Sequence, residues 1–301
     1  MPRATTVAGA AKPSASRAPV RKTYKLYIGG AFPRSESGRS YAVTDSRGRF
    51  LANAAQGSRK DARDAVVAAR KAFGGWSGTT AYNRGQVLYR VAEVLEGRRD
   101  QFVAEVAAAE GLAPRAAGAT VDAAIDRWVW YAGWTDKLTQ ILGNANPVAG
   151  PYFNLSVPEP TGVVAVLAPQ ASSLLGLVSV VAPVLAGGST CVVVASSARP
   201  LPAVTLGEVL ATSDIPGGVI NILTGAVAEI APWLASHADV NGLDLCGTDL
   251  ADAVDLERAA AGNVKRVLRP PASESDWSAD PGLTRLTAWL ETKTVWHPMG
   301  V

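Results

Sequence analysis

Cysteine and histidine are scarce. The 301 residues hold two cysteines, Cys191 and Cys246, and two histidines, His237 and His297. Two cysteines give no disulfide framework, and their spacing matches no metal motif. With the histidines far apart, a zinc site is not expected. Charge is also low: Asp, Glu, Lys and Arg make up 18% of the chain, against about 25% in an average domain. Low charge leaves more apolar surface to cover, which hints at burial against another chain. The net charge of +3 is small and scattered, which argues against nucleic acid or an anionic membrane as a partner. No apolar run is long enough to span a bilayer. The longest, Leu174 to Ala186, falls short of the roughly 20 residues required and is interrupted by Pro183. A buried helix is the expectation there. Residues 1–20 are rich in Ala, Pro, Ser and Arg and lack the apolar core of a secretory signal. They read as part of a disordered tail over 1–22, and the whole as a soluble cytoplasmic protein.

What is present falls into two patterns. Up to about residue 142 the chain is mostly helical. Tyr24 to Gly30 alternates like a strand, and Tyr41–Thr44 with Gly48–Ala55 suggests a second extended pair. Ser58 is placed to cap a helix, with Asp61 at its third position and Ala62, Ala65, Val66, Ala69 and Phe73 on one face. Gly74-Gly75 is expected to end it. Helices follow over about 80–97 and 99–110, then a longer one from Ala119 to Leu142 whose aromatics, Trp128, Trp130, Tyr131 and Trp134, read as helix packing. Residues 143–160 form a Gly/Pro/Asn-rich connector with an extended stretch near Tyr152–Val157.

From Gly162 the period changes. Short continuous apolar runs begin at Gly162, Thr190, Gly218, Asn241 and Lys265 and alternate with helical segments over 174–185, 201–212, 227–236 and 250–261. Such runs suit strands buried on both faces. Five strands and four helices in this order predict a Rossmann-like α/β fold with a parallel five-stranded sheet. Ligands of such sheets sit beyond the C-terminal strand ends, here Ala168-Pro169, Ala195-Ser196, Thr224-Gly225 and Cys246-Gly247-Thr248.

These pieces together resemble the aldehyde dehydrogenase superfamily over nearly the whole chain after the tail. The matching residues are Leu26-Tyr-Ile-Gly-Gly, Ala72-Phe-Gly-Gly-Trp76, Arg84 to Asp100, Glu159-Pro-Thr-Gly-Val-Val164, Pro216-Gly-Gly-Val-Ile-Asn221 with Thr224-Gly225, His237-Ala-Asp-Val240 and Ala259 to Val267. The resemblance implies an N-terminal helical region with an oligomerisation arm over 23–158. It also implies a dinucleotide-binding domain over 159–270 and a C-terminal docking segment over 271–301. In the family the last strand leaves its own body and adds to the catalytic sheet of a neighbouring subunit. Gly282 to Trp296 resembles that segment.

The departures from the family pattern fall on its chemistry. Family enzymes carry Pro-Trp-Asn after the first cofactor strand, and the Asn donates to the oxyanion. Here the stretch is Pro169-Gln170-Ala171. Loss of one such donor typically costs about 10²–10³ in rate. The family's Lys-Pro-Ser-Glu, which holds the adenosine ribose, is Val194-Ala195-Ser196-Ser197. Its Thr-Gly-Ser is Cys246-Gly247-Thr248, and an expected Gly is Asp252. The Glu-Leu-Gly-Gly stretch with the general base is missing after Arg269-Pro270, as is the catalytic domain with its nucleophilic cysteine. By resemblance, the degenerate cofactor residues are Pro169, Gly225, Cys246, Gly247 and Thr248. Cys246 aligns with a family threonine and lies beside Asp244 and Asp249, which oppose a thiolate. It reads as structural, as do Cys191, His237 and Glu159.

Three functional readings remain. The first is a non-catalytic subunit, a pseudoenzyme that assembles with a complete aldehyde dehydrogenase paralogue or with itself through the C-terminal strand. The second is a nucleotide-binding module for NAD or NADP. The third is an NAD(P)-dependent aldehyde oxidoreductase in its own right, which lacks a visible nucleophile. No catalytic residue is assigned.

Overall fold

The computed structural model describes residues 20–273 and 275–300. Most of the tail expected over 1–22 therefore lies outside the described residues. The chain opens with a small sheet: β1 (Thr23–Tyr24), β2 (Ser40–Thr44) and β3 (Phe50–Ala55), with β3 central, parallel to β1 and antiparallel to β2. The strand expected over Tyr24–Gly30 is mostly absent. Gly29 and Gly30 take positive φ angles of 62° and 84° and turn the chain. Beyond β1, Tyr27 exchanges two backbone hydrogen bonds with Ile222, and Ile28 bridges to Ala31 across the turn.

Helices α1 (Arg59–Gly78), α2 (Ala81–Glu96), α3 (Arg99–Glu110), α4 (Pro114–Trp134) and α5 (Leu138–Leu142) follow. Ser58 and Asp61 form a reciprocal capping box at the start of α1. Gly74-Gly75 does not end this helix, which continues to Gly78. Trp76 lies beyond the glycines, is fully buried, and donates its indole N–H to the Leu185 carbonyl at 3.1 Å. That anchoring offsets the roughly 1 kcal/mol each helical glycine costs. The single helix expected over 119–142 is two. Thr135 donates its hydroxyl to the Ala132 carbonyl at 3.0 Å where α2 makes close contact: a Cβ on Gly85 would sit 2.7 Å from Thr135 Oγ1. At the other end, Pro114 suits the first turn and starts α4 earlier.

The second half is the expected parallel sheet. Its strands are β6 (Val163–Leu167), β7 (Thr190–Val194), β8 (Ile220–Leu223), β9 (Gly242–Asp244) and β10 (Arg266–Leu268), in spatial order β10-β9-β6-β7-β8. Its helices are α6 (Leu175–Ala186), α7 (Leu201–Leu210), α8 (Val227–Ser236) and α9 (Leu250–Ala260). Alternate strand residues enter two cores. Val164, Val166, Cys191 and Val193 face α6 and, behind it, α4. Val163, Ala165, Val192 and Val194 face α1, α8 and α9. Every residue of α6 is buried, as its apolar sequence predicts. Among the described residues, no helix is long and apolar enough to cross a membrane.

A third sheet joins β4 (Asn144–Asn146), β5 (Tyr152–Pro160) and β11 (Leu290–Pro298), in order β11-β5-β4 and antiparallel throughout. The C-terminal segment reaches it through α10 (Thr284–Thr287). The last strand lies along β5 of its own chain for nine residue pairs, from Leu290↔Pro160 to Pro298↔Tyr152. Its outer edge has no partner strand among the described residues. Leu286, Trp289 and Leu290 enter the core beside α6.

Candidate functional site

The strand order reverses between β6 and β9, because the chain moves outward through β7 and β8 before returning to β9. Beyond the strand ends lies a cavity of about 660 Å³, where ligands of such sheets bind. Val227 and Ala231 of α8 and Leu256 of α9 give it apolar walls. Gln170, Ser197, Gly247 and Thr248 come from the loops after β6, β7 and β9.

Of the five cofactor residues expected from the sequence, Gly247 and Thr248 line this cavity. Pro169, Gly225 and Cys246 are not among its walls. Pro169 packs beside Gly176 at the start of α6, where an added Cβ would lie 3.1 Å from the proline ring. Gly225 sits against the link from β3 to α1, with φ of 128° and space for a Cβ only 3.0 Å from the Gly57 nitrogen. Cys246 is half-buried, and its N–H donates to Asp244 Oδ1 at 3.0 Å. Burial, then the charge of Asp244, pushes its thiol up to about 11. Burial and Asp244 thus disfavour the thiolate that a nucleophilic cysteine needs. Cys191 is fully buried, which raises its thiol further.

The polar groups at the strand ends satisfy one another. Gln170 donates its amide to the Ala168 carbonyl at 2.8 Å and accepts the Ser197 N–H at 3.0 Å. Ser196 donates to the Gln170 carbonyl at 2.9 Å, and Ser197 to the Gly225 carbonyl at 2.8 Å. Arg199 reaches back to the Ala171 carbonyl. The role of Gln170 was not read from the sequence. A Gln directly after the strand-end proline was its one signal.

A dinucleotide needs free amides or cations for its pyrophosphate. The N–H of Gly247 donates to Leu167 at 2.8 Å, that of Thr248 to Leu245 at 3.0 Å, and that of Asp252 to the capping Asp249 carboxylate at 2.8 Å. Asp249, Asp252 and Asp255 line the cavity, and among the described residues no Lys or Arg does. Gly247 itself is required by packing, since a Cβ there would fall 1.9 Å from the Ala168 oxygen. The loop after β9 therefore offers a pyrophosphate no cation, and its Gly247, Thr248 and Asp252 amides are already used within the chain. Among the described residues, no group of three or more metal-binding side chains converges.

A family model described as "Aldehyde dehydrogenase family" matches residues 32–269. The mitochondrial benzaldehyde dehydrogenase of Antirrhinum majus is 32% identical over 267 residues, covering 87% of this chain and 49% of that protein. The mitochondrial aldehyde dehydrogenase family 2 member B4 of Arabidopsis thaliana is 34% identical over 248 residues, covering 81% and 45%. The crystal structure of a betaine aldehyde dehydrogenase from Staphylococcus aureus in complex with NAD+ superposes with a TM-score of 0.76 at 25% identity, covering 81% of this chain and 48% of that one. The chain thus spans about half the length of these relatives. On the family match across most of its length, together with the parallel sheet and its strand-end cavity, the chain belongs to the aldehyde dehydrogenase family.

Proposed function

We propose that this chain is a non-catalytic family subunit that assembles, in the cytoplasm, with a complete aldehyde dehydrogenase. The observation that carries this reading is the terminal arm. Nine residues of β11 are held in register on β5, with the outer edge of β11 open among the described residues, a geometry suited to strand addition by a second chain. The strand-end chemistry supports it from the other side: Ala171 offers no side-chain donor, burial and Asp244 disfavour the Cys246 thiolate, and the Gly247, Thr248 and Asp252 amides are taken up within the chain.

Co-expression with a complete aldehyde dehydrogenase from the same organism tests this. A stable hetero-oligomer on size-exclusion chromatography is expected. Truncation after Leu290, which keeps Trp289 in the core, should abolish the complex while leaving a folded chain. Separate elution at micromolar concentration would refute the assembly, and a homo-oligomer would identify self-association instead. A second reading, a nucleotide-binding module, rests on the cavity between α8 and α9. Flat calorimetric isotherms with millimolar NAD+ and NADP+ would exclude it.

A further inference from the structure

A second cavity, of about 270 Å³, lies where α4 and α6 meet the segment that leads from β10 to β11. Its floor holds polar groups without partners. Tyr131 is fully buried, and among the described residues its hydroxyl has no well-formed hydrogen bond, with the Arg127 guanidinium its nearest polar neighbour. Ser179 on α6 is 1% exposed, and its hydroxyl is likewise unpartnered. A helical serine could bond back to the preceding turn, but this one does not. Arg127, 7% exposed, donates to the Trp277 and Ala279 carbonyls at 2.7 and 3.0 Å. It forms no ion pair with a carboxylate among the described residues. A buried cation without a counter-ion and two idle buried hydroxyls on one cavity are each costly. Together they describe an anion site.

We propose that this cavity binds a small monocarboxylate. Its carboxylate is held by Arg127, Tyr131 and Ser179, and its carbon chain lies against Trp277 and Leu268. Arg285, the second guanidinium of the floor, stacks 5.4 Å from the Trp277 ring centre and is committed to Asp244 at 2.6 Å. Arg269, also on the wall, is committed to Glu257. Burial pushes the Tyr131 phenol up to about 12, so it remains a hydrogen-bond donor at neutral pH. Two exposed carboxylates, Asp276 and Asp280, also line the cavity. They disfavour any added negative charge and a second one most, so the class is a mono- rather than a dicarboxylate. The proposal does not depend on the assembly reading, because it concerns this chain alone.

The test uses the full chain with butyrate, succinate and butylamine as probes, followed by thermal shift and ligand-observed NMR. Butyrate should bind with a dissociation constant on the order of 1 mM, succinate about tenfold more weakly, and butylamine not at all. Tyr131→Phe and Ser179→Ala give the decisive contrast. Each removes an unpartnered buried hydroxyl, so each should raise the ligand-free melting temperature while weakening butyrate about tenfold. A merely structural hydroxyl would not move these two readouts in opposite directions. No butyrate binding up to about 50 mM, unchanged affinity in both variants, or succinate binding as tight as butyrate would each overturn the proposal.

Discussion

Replacing Trp289 with alanine should destabilise the whole chain. Trp289 stands one residue before β11, is 1% exposed, and shares a core with Val164 and α6. Its ring fills the space above Gly242, where an added Cβ would fall 2.7 Å from the indole. A buried tryptophan removes about 200 Å² from water, worth about 5 kcal/mol at about 25 cal/mol per Å². Residual compactness of the denatured chain trims this to about 3–4.5 kcal/mol. Among the described residues the indole N–H is buried without a partner, so no hydrogen bond to them is lost with it. The net cost expected for Trp289→Ala is therefore about 3–4 kcal/mol, within the range for large-to-small core changes. Trp296 on the same strand is 58% exposed and makes only an edge contact with the Tyr152 ring, 5.8 Å between centres. Trp296→Ala should cost less than about 1 kcal/mol. Urea unfolding of the two variants measures both values, with an unchanged slope expected. A Trp289→Ala cost below about 1 kcal/mol would refute the view that the terminal segment is part of the core.

Gly247→Ala should lower unfolding stability by about 3 kcal/mol or more, because its Cβ would collide with the Ala168 carbonyl, whereas Gly262→Ala, with open space around it, should be near neutral. Glu105 gives a pH signature. Tyr24, Thr205 and Gln101 all donate to its Oε1, while Oε2 is buried without a partner, and burial raises its pKa above the ordinary value of 4.5. A raised folded pKa means the stability it contributes is present at low pH and is lost as pH rises above 4.5. Stability of Glu105→Gln should lack that decline in denaturation curves taken from pH 4 upward, and parallel curves for both proteins would count against the assignment. Paired Asp249→Ser and Asp252→Gly changes keep a helix cap and remove two carboxylates from the cavity. They should raise NAD+ affinity about tenfold by calorimetry. Binding below about 100 µM in the unaltered chain would contradict the misfit inferred for the pyrophosphate.

The sheet was legible because its strands are short continuous Val/Ile/Leu runs that only a doubly covered sheet accommodates. α6, with every residue buried, and the Ser58–Asp61 cap were legible for equally local reasons. Errors arose where tertiary contacts outweighed local signals. Gly74-Gly75 looked like a helix end, but Trp76 is anchored on Leu185 and carries the helix through. Residues 119–142 looked like one helix, but Thr135 breaks it at the contact with Gly85. The capping role of Asp249 was missed although its signal is equally local: it stands directly before Leu250 with Asp252 three residues on, the spacing of Ser58 and Asp61, and its carboxylate accepts the Asp252 amide.

Residues shared with the family at the strand ends do not by themselves signal a cofactor. Gly247 is fixed by the Ala168 oxygen, Gly225 by the Gly57 nitrogen, and Thr224 by its bond to the Ala55 carbonyl. Each would be needed to build the sheet with or without a ligand. The same reasoning divides the terminal segment. Leu286, Trp289 and Leu290 are needed by the core, so their retention says nothing about a partner. From Glu291 onward the strand is exposed throughout, and its far end places Val295 and Trp296 beside Tyr152 and Phe153, all exposed. An uncovered edge of this kind favours aggregation and is usually blunted with charge or proline. Lys293 and Pro298 do part of that, and the apolar pair Val295 and Trp296 between them is left exposed. That stretch contributes little to the core, and a second chain adding to this edge would cover it.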